Sequence, residues 1–227
     1  MKFNRFWLGL VLVLTLSGQT LYAQQSDTDA KKLAEIRAKA EKGDAKAQWE
    51  LGKAFSNGEF GLEKDQQEAF KWIRKAAEQN DAMAQGSLGF LYLYGLGVAP
   101  NTAEALKWYR KAAEQNESIA QSNLAWCYYY GIGVTKDTTE ALKWYRKAAE
   151  QNFALAQRSV GEGYFKGIGV EKNMMEAYKW FLLAAAQGDE DAKSRVRHLE
   201  KKLKKDQIAE VKKQVAEWTQ QHKKATN

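Results

Sequence analysis

A chain of 227 residues with 44% hydrophobic and 28% charged residues carries enough apolar surface to fold, which excludes a disordered chain. One proline against eight tryptophans, among many Ala, Glu, Lys and Gln, favours helices, because straight-chain residues lose little rotamer freedom there. The net charge of +7 is a modest basic excess, and the single cysteine, Cys127, excludes an intramolecular disulfide and leaves stability to packing.

The first segment reads as an address, not as fold. Lys2 and Arg5 give a positive start, Phe6–Leu16 is a short apolar run, and Ser17–Ala23 is more polar and ends in "LYA". This layout predicts a secretory signal over residues 1–23, cleaved after Ala23, and a periplasmic or secreted protein. An uncleaved anchor is the alternative, but the apolar run is shorter than the ~20 residues a span needs. No transmembrane span is expected after cleavage, and no cysteine follows the run to carry a lipid.

Beyond it the chain repeats itself. "EALKWYRKAAEQN" occupies Glu104–Asn116 and returns unchanged at Glu140–Asn152. Trp72, Trp108, Trp144 and Trp180 stand thirty-six residues apart, and Ala84, Ala120 and Ala156 open "AQ" pairs at the same spacing. A segment written at a fixed period is a building block, not a catalytic signature. Ala47 sits one residue out of step, because "GEFGLEKD" (Gly58–Asp65) is one longer than "GLGVAPN" (Gly95–Asn101), and surface loops tolerate insertion. The division in chain order is 24–46, a linker and N-terminal half-repeat whose "IRAKAEKGDAKAQ" echoes Ile73–Gln85; repeats over 47–83, 84–119, 120–155 and 156–191; and closing helices over 192–227.

Each repeat predicts two helices. The first has apolar residues four apart (Leu88 and Tyr92, Leu124 and Tyr128, Val160 and Tyr164) and stops at a glycine pair such as Gly131/Gly133. The second starts at Asp65…Glu68, Asn101…Glu104, Asp137…Glu140 or Asn173…Glu176, the spacing of a capping box. It is expected to bury Ala105, Trp108, Tyr109 and Ala112, and to end at Asn80, Asn116, Asn152 or Gly188. A helix pair this small cannot bury its apolar face alone, so the pairs must stack into a solenoid. In the last segment Leu199, Leu203, Ile208, Val211, Val215 and Trp218 form an apolar stripe that predicts one or two capping helices.

"AQSNLAWCYYYGIGVTKDTTEALKWYRKAAEQN" (120–152) resembles a Sel1-like repeat, a relative of the tetratricopeptide repeat with a longer glycine-marked loop. The resemblance implies an all-α, right-handed α/α superhelical solenoid of four repeats between the N-terminal half-repeat and the C-terminal caps. It also implies a concave face, lined by the first helices, that binds extended segments of proteins. By that pattern the groove positions are Lys46, Trp49, Lys53, Ser56 and Asn57; Met83, Gly86, Phe90, Leu93 and Tyr94; Ile119, Ser122, Trp126, Tyr129 and Tyr130; and Leu155, Arg158, Glu162, Phe165 and Lys166. The residues assigned to partner binding are Trp49, Phe90, Leu93, Tyr94, Trp126, Tyr129, Tyr130, Arg158, Phe165 and Lys166. Trp and Tyr are favoured anchors of such surfaces. Met83, Ile119, Leu155 and Phe90 also stand where adjacent repeats pack, so burial is the other reading for them.

The expected work is that of a scaffold or adaptor for a protein in the cell envelope or host, not an enzyme. The alternative is a β-lactam-type hydrolase, as described for some exported relatives. It lacks support in these residues: none of Ser56, Ser87, Ser118, Ser122, Ser159 and Ser194 has a lysine three residues on, and the paired cysteines of those relatives are missing. His198 and His222 lie in the polar tail with no ligand cluster, so no metal or cofactor is expected. Cys127 aligns with Ala54, Leu91 and Gly163, which predicts a buried thiol. Between Lys193 and Lys224 lie eleven Lys/Arg and four Asp/Glu. This basic tail is either a solvated helix face or a weak contact for anionic lipid or cell wall. Nucleic acid is not expected, since no aromatic-basic readout motif appears.

Overall fold

The computed structural model describes residues 27–225, so the expected signal segment and its cleavage after Ala23 lie outside the described residues. Among the described residues all regular structure is helical. Helix α1 covers 27–41. It is followed by α2 (Ala45–Asn57), α3 (Gln66–Glu78), α4 (Ala82–Tyr94), α5 (Thr102–Glu114), α6 (Ser118–Tyr130) and α7 (Thr138–Glu150). Then come α8 (Ala154–Lys166), α9 (Met174–Ala186), α10 (Glu190–Glu200) and α11 (Lys205–Ala225). Two compact units form: one takes the chain to Ala84 with Gly95–Ala99, the other takes Gln85–Tyr94 and everything from Pro100 onward. Within each, consecutive helices pack as in a repeat solenoid.

The start signals of the second helices work by half of the expected device. Asp137 accepts from the amides of Thr139 and Glu140 at 3.0 and 2.9 Å, Asp65 and Asn173 cap in the same way, and Asn101 accepts from the Glu104 amide alone. The return arm of the box, glutamate to the cap's own amide, is replaced. That amide donates instead to the end of the preceding helix, Asp137 to the Tyr128 carbonyl and Asn173 to that of Tyr164. The glutamates turn outward to lysines, as in Glu104–Lys107 and Glu140–Lys143. The loop brings helix end and helix start within reach, and the backbone acceptor takes the amide first.

The second glycine of the last three loops, Gly97, Gly133 and Gly169, has a tertiary reason. A Cβ on Gly169 would lie 2.2 Å from the Thr138 carbonyl of the preceding repeat, whereas one on Gly167 would meet nothing closer than 3.5 Å. The "AQ" glutamine is structural as well. Gln121 donates to the Ala113 carbonyl and to Asn116, while its own oxygen accepts from Gln151. Gln157 repeats the pattern with Ala149, Asn152 and Gln187.

In the first unit Ile36 and Ala40 of α1 pack on Ala47 and Leu51 of α2, so the half-repeat covers the first full one. The longer loop folds inward there, with Phe60 against that cluster. In the second unit the core runs through Ala105, Leu106, Tyr109, Leu124, Ala125, Leu142, Tyr145 and Val160. The tryptophan expected in the core at Trp108 is only half-buried, and Leu106 is buried instead. The indoles of Trp108 and Trp144 sit at the rim of the second helices, where Lys111 and Lys147 lie 4.5 and 4.0 Å from their ring centres. A lysine stem can cover an indole face that the repeat leaves open.

Two helices close the array. Tyr178 and Phe181 of α9, Leu199 of α10 and Val211 of α11 form one cluster. α11 packs along α9 and reaches α7, where His222 Nε2 stands 3.0 Å from the Glu150 carbonyl. Under this helix the fourth tryptophan of the series, Trp180, is buried at 5% exposure, unlike its three counterparts.

Candidate functional site

The site lies in the second unit and begins with the register of α6. Ala120, Gln121, Leu124, Ala125 and Cys127 turn into the core, which leaves Ile119, Trp126, Tyr129 and Tyr130 toward the other side. Tyr130 is 60% exposed and Trp126 half-buried, with ring centres 5.3 Å apart; Tyr129 meets Tyr130 edge-on at 4.8 Å. Gly131 ends the helix in the left-handed conformation, so this aromatic triplet stops sharply at the loop.

Beside the triplet opens a pocket of about 370 Å³. Trp126, Tyr129 and Tyr130 form one wall, and Leu155, Arg158, Ser159, Glu162 and Lys166 of α8 form the other. Leu142 and Tyr145 of α7 also line it, both almost fully buried. Their part was not visible from the first-helix positions, because second-helix residues show in the sequence only as a burial stripe. Leu155 and Ile119, 45% and 55% exposed, belong to the surface and not to the packing between repeats. Met83 and Phe90 are likewise exposed.

The far wall is charged and internally tied. Glu162 receives Lys166 at 2.7 Å and Arg195 of α10 at 2.6 Å. Arg158 pairs with Asp189 at 2.9 Å and with Asp191 at 3.4 Å. These bonds hold Arg158 and Glu162 in fixed directions, so the pocket offers an apolar side and a salt-bridged side.

The remaining expected residues do not line this pocket. Phe90 and Tyr94 of α4 meet as tilted rings 4.5 Å apart and are exposed, and Leu93 is half-buried against the neighbouring core. Phe165 faces the cap: Phe181, His198 and Arg195 lie against its ring. Trp49 belongs to the first unit, where it lines a small cleft with Lys53, Glu50 and Phe60.

Burial pushes the Cys127 thiol up to about 11 and the Tyr145 phenol well above its usual range. At neutral pH Cys127 is therefore apolar filling and Tyr145 a neutral phenol, neither of them a base or nucleophile. Among the described residues no group of three or more His, Cys, Asp or Glu is gathered as a metal site would need. Nor is any described helix long and apolar enough to cross a membrane. What the arrangement can do is hold an apolar side chain between aromatic rings while a polar neighbour meets the charged wall.

A family model described as Sel1 repeat matches residues 45–81, 82–117, 118–153 and 154–189. No curated protein matches the chain. Among solved structures, a protective antigen with an SLR fold, present in uropathogenic Escherichia coli strains, is similar at 37% identity and TM-score 0.73. That match covers 84% of this chain and 40% of the antigen, so the chain spans less than half of its length. A Sel1 repeat protein from Oxalobacter formigenes is 36% identical with a TM-score of 0.67, covering 80% of this chain and 73% of that one. An immunity protein from Pseudomonas aeruginosa, 22% identical with a TM-score of 0.50 over 74% of this chain and 68% of its own, shares the fold alone.

Proposed function

The chain belongs to the Sel1 repeat family, and from that premise we propose that it is a scaffold holding an extended segment of a partner protein on the first-helix face of its second unit. Sel1 repeats commonly serve as protein-interaction scaffolds, which sets the general role. The observation that carries the finer reading is the pocket of about 370 Å³ beside Trp126 and Tyr130. A tyrosine left 60% exposed next to a half-buried tryptophan is not required by the repeat, and apolar surface of that kind marks binding sites. The secretory layout of residues 1–23 adds the proposal that the partner is met in the periplasm or outside the cell.

The test uses the protein as bait for envelope extract of its source, beside a Trp126→Ala/Tyr130→Ala variant whose circular dichroism matches wild type. The partner retained by wild type is then titrated against both, and the variant is expected to bind at least about tenfold more weakly, since buried aromatic anchors dominate such interfaces. Equal affinity, within about twofold, would remove the pocket from the interface. N-terminal sequencing of the native protein tests the export proposal, which expects Gln24 as the first residue.

A further inference from the structure

The C-terminal segment presents a second surface that does not depend on the pocket. Packing separates its cations into two groups. Lys193 pairs with Glu190, Arg195 with Glu162 and Lys212 with Glu200 at 2.8, 2.6 and 3.0 Å. Arg197, Lys201, Lys202, Lys204 and Lys205 are exposed, and among the described residues none of them has a carboxylate within ion-pair distance. Of their two acidic neighbours, Glu200 is already engaged by Lys212 and by the Tyr178 hydroxyl, which together hold its carboxyl below the usual range, and Asp206 is within ion-pair distance of none of the five.

The five sit on one corner because the fold ties it. The Leu203 amide donates to the Leu199 carbonyl, Leu199 and Val211 are buried against Tyr178 and Phe181, and the turn between α10 and α11 is thereby fixed. The apolar stripe of α11 is used against α9, so charge is what remains outward. For the protein alone this is unfavourable. Like charges crowd within nine residues, and Lys204 and Lys205 stand at the start of a helix, where the dipole is already positive and a single first-turn carboxylate, Asp206, faces two lysines. Local rules are broken in this way where a site needs it.

We propose that this corner binds the phosphate surface of an anionic lipid bilayer. A cluster of roughly four to eight Lys/Arg on a surface is drawn to such membranes by charge alone. The stretch Arg197–Lys205 has no Phe, Tyr or Trp on which a nucleic-acid base would stack, and its one imidazole, His198, already meets the Phe165 ring edge-on at 5.9 Å. Leu203 and Ile208 pack into the cap cluster, so the contact is electrostatic adsorption without an inserted anchor.

Sedimentation with mixed phosphatidylglycerol–phosphatidylcholine vesicles tests this. Wild type is expected to pellet with them at low salt, to be released as salt rises, and to ignore pure phosphatidylcholine. The variant Lys201→Gln/Lys202→Gln/Lys204→Gln/Lys205→Gln is expected to lose at least about tenfold in partitioning, with a thermal melt no lower than wild type. A control, Lys31→Gln/Lys39→Gln/Lys42→Gln/Lys46→Gln, removes the same charge elsewhere and is expected to stay within about twofold. Equal loss in both variants would reduce the effect to net charge and overturn the corner. Failure of wild type to pellet, or binding to soluble polyphosphate without binding to vesicles, would overturn the bilayer as partner. The Trp126→Ala/Tyr130→Ala variant is expected to pellet like wild type, which separates this surface from the pocket.

Discussion

Gln121 is 1% exposed, yet its amide group is fully used: two donor bonds to Ala113 and Asn116 and one acceptor bond from Gln151. A buried amide bonded through both its nitrogen and its oxygen ties the helices together; removing it takes one donor from the Ala113 carbonyl and the shortest acceptor from the Gln151 amide, and leaves a hole in a buried site. Gln121→Ala is therefore expected to lower stability by about 2 kcal/mol in urea unfolding, far more than a surface glutamine would. Cys127 gives a pH prediction. Its ordinary value of 9.0 is raised to about 11 by burial, so between those values the native chain keeps a proton that the unfolded chain releases. Its contribution is complete below pH 9.0 and is lost as pH rises toward 11. Burial shifts Tyr109, Tyr145 and Tyr178 in the same direction, extending the decline upward. The urea midpoint should thus fall above pH 9, and less steeply in Cys127→Ala. A midpoint flat from neutral pH to 11 would contradict the burial of these groups.

At the scale of the element, each second helix depends on its cap, and the loops with a G-x-G pair depend on the second glycine. Asp137→Ala is expected to cost about 1 kcal/mol, because two amides lose their acceptor. Glu140→Gln should cost no more than about 0.5 kcal/mol, since Glu140 closes no box and makes only an exposed pair with Lys143. Thermal melts of the two variants separate the half-cap from the reciprocal box, which predicts similar losses. Gly167 and Gly169 both have positive φ, 73° and 72°. An alanine at either is strained, but only at Gly169 does the new Cβ collide with backbone, the Thr138 carbonyl. Gly169→Ala should therefore melt well below Gly167→Ala.

At the scale of the molecule, the array is finished by α11. Its apolar side covers the surface that a further repeat would have covered, and this is why Trp180 is buried while Trp72, Trp108 and Trp144 are not. Truncation after Glu200 uncovers Trp180 and removes Val211 from the cluster around Tyr178 and Phe181. The truncated chain should melt lower, shift its tryptophan emission to the red and bind a hydrophobic dye, since terminal caps keep repeat proteins soluble. The tail also has a definite place. It lies along α9 and touches the end of α7 at Glu150, and none of its residues lines the pocket.

The period of thirty-six, the glycine pairs and the Asp/Asn starts were sufficient to write down the helix pairs, because each is a local rule that a short window satisfies by itself. The aromatic triplet was legible for the same reason, as Trp126, Tyr129 and Tyr130 exceed what the repeat pattern asks for. The partners of these residues were not. That Tyr145 and Leu142 line the pocket, that Phe165 faces the cap and that Arg158 is held by Asp189 and Asp191 depend on which helices meet. The same holds for the split of the tail's cations into paired and unpaired. Local sequence determined the elements, whose hydrogen bonds close within a few residues. Only packing decided the sites, because most of their contacts join different helices, as Arg158 meets Asp189 and Arg195 meets Glu162, more than thirty positions apart.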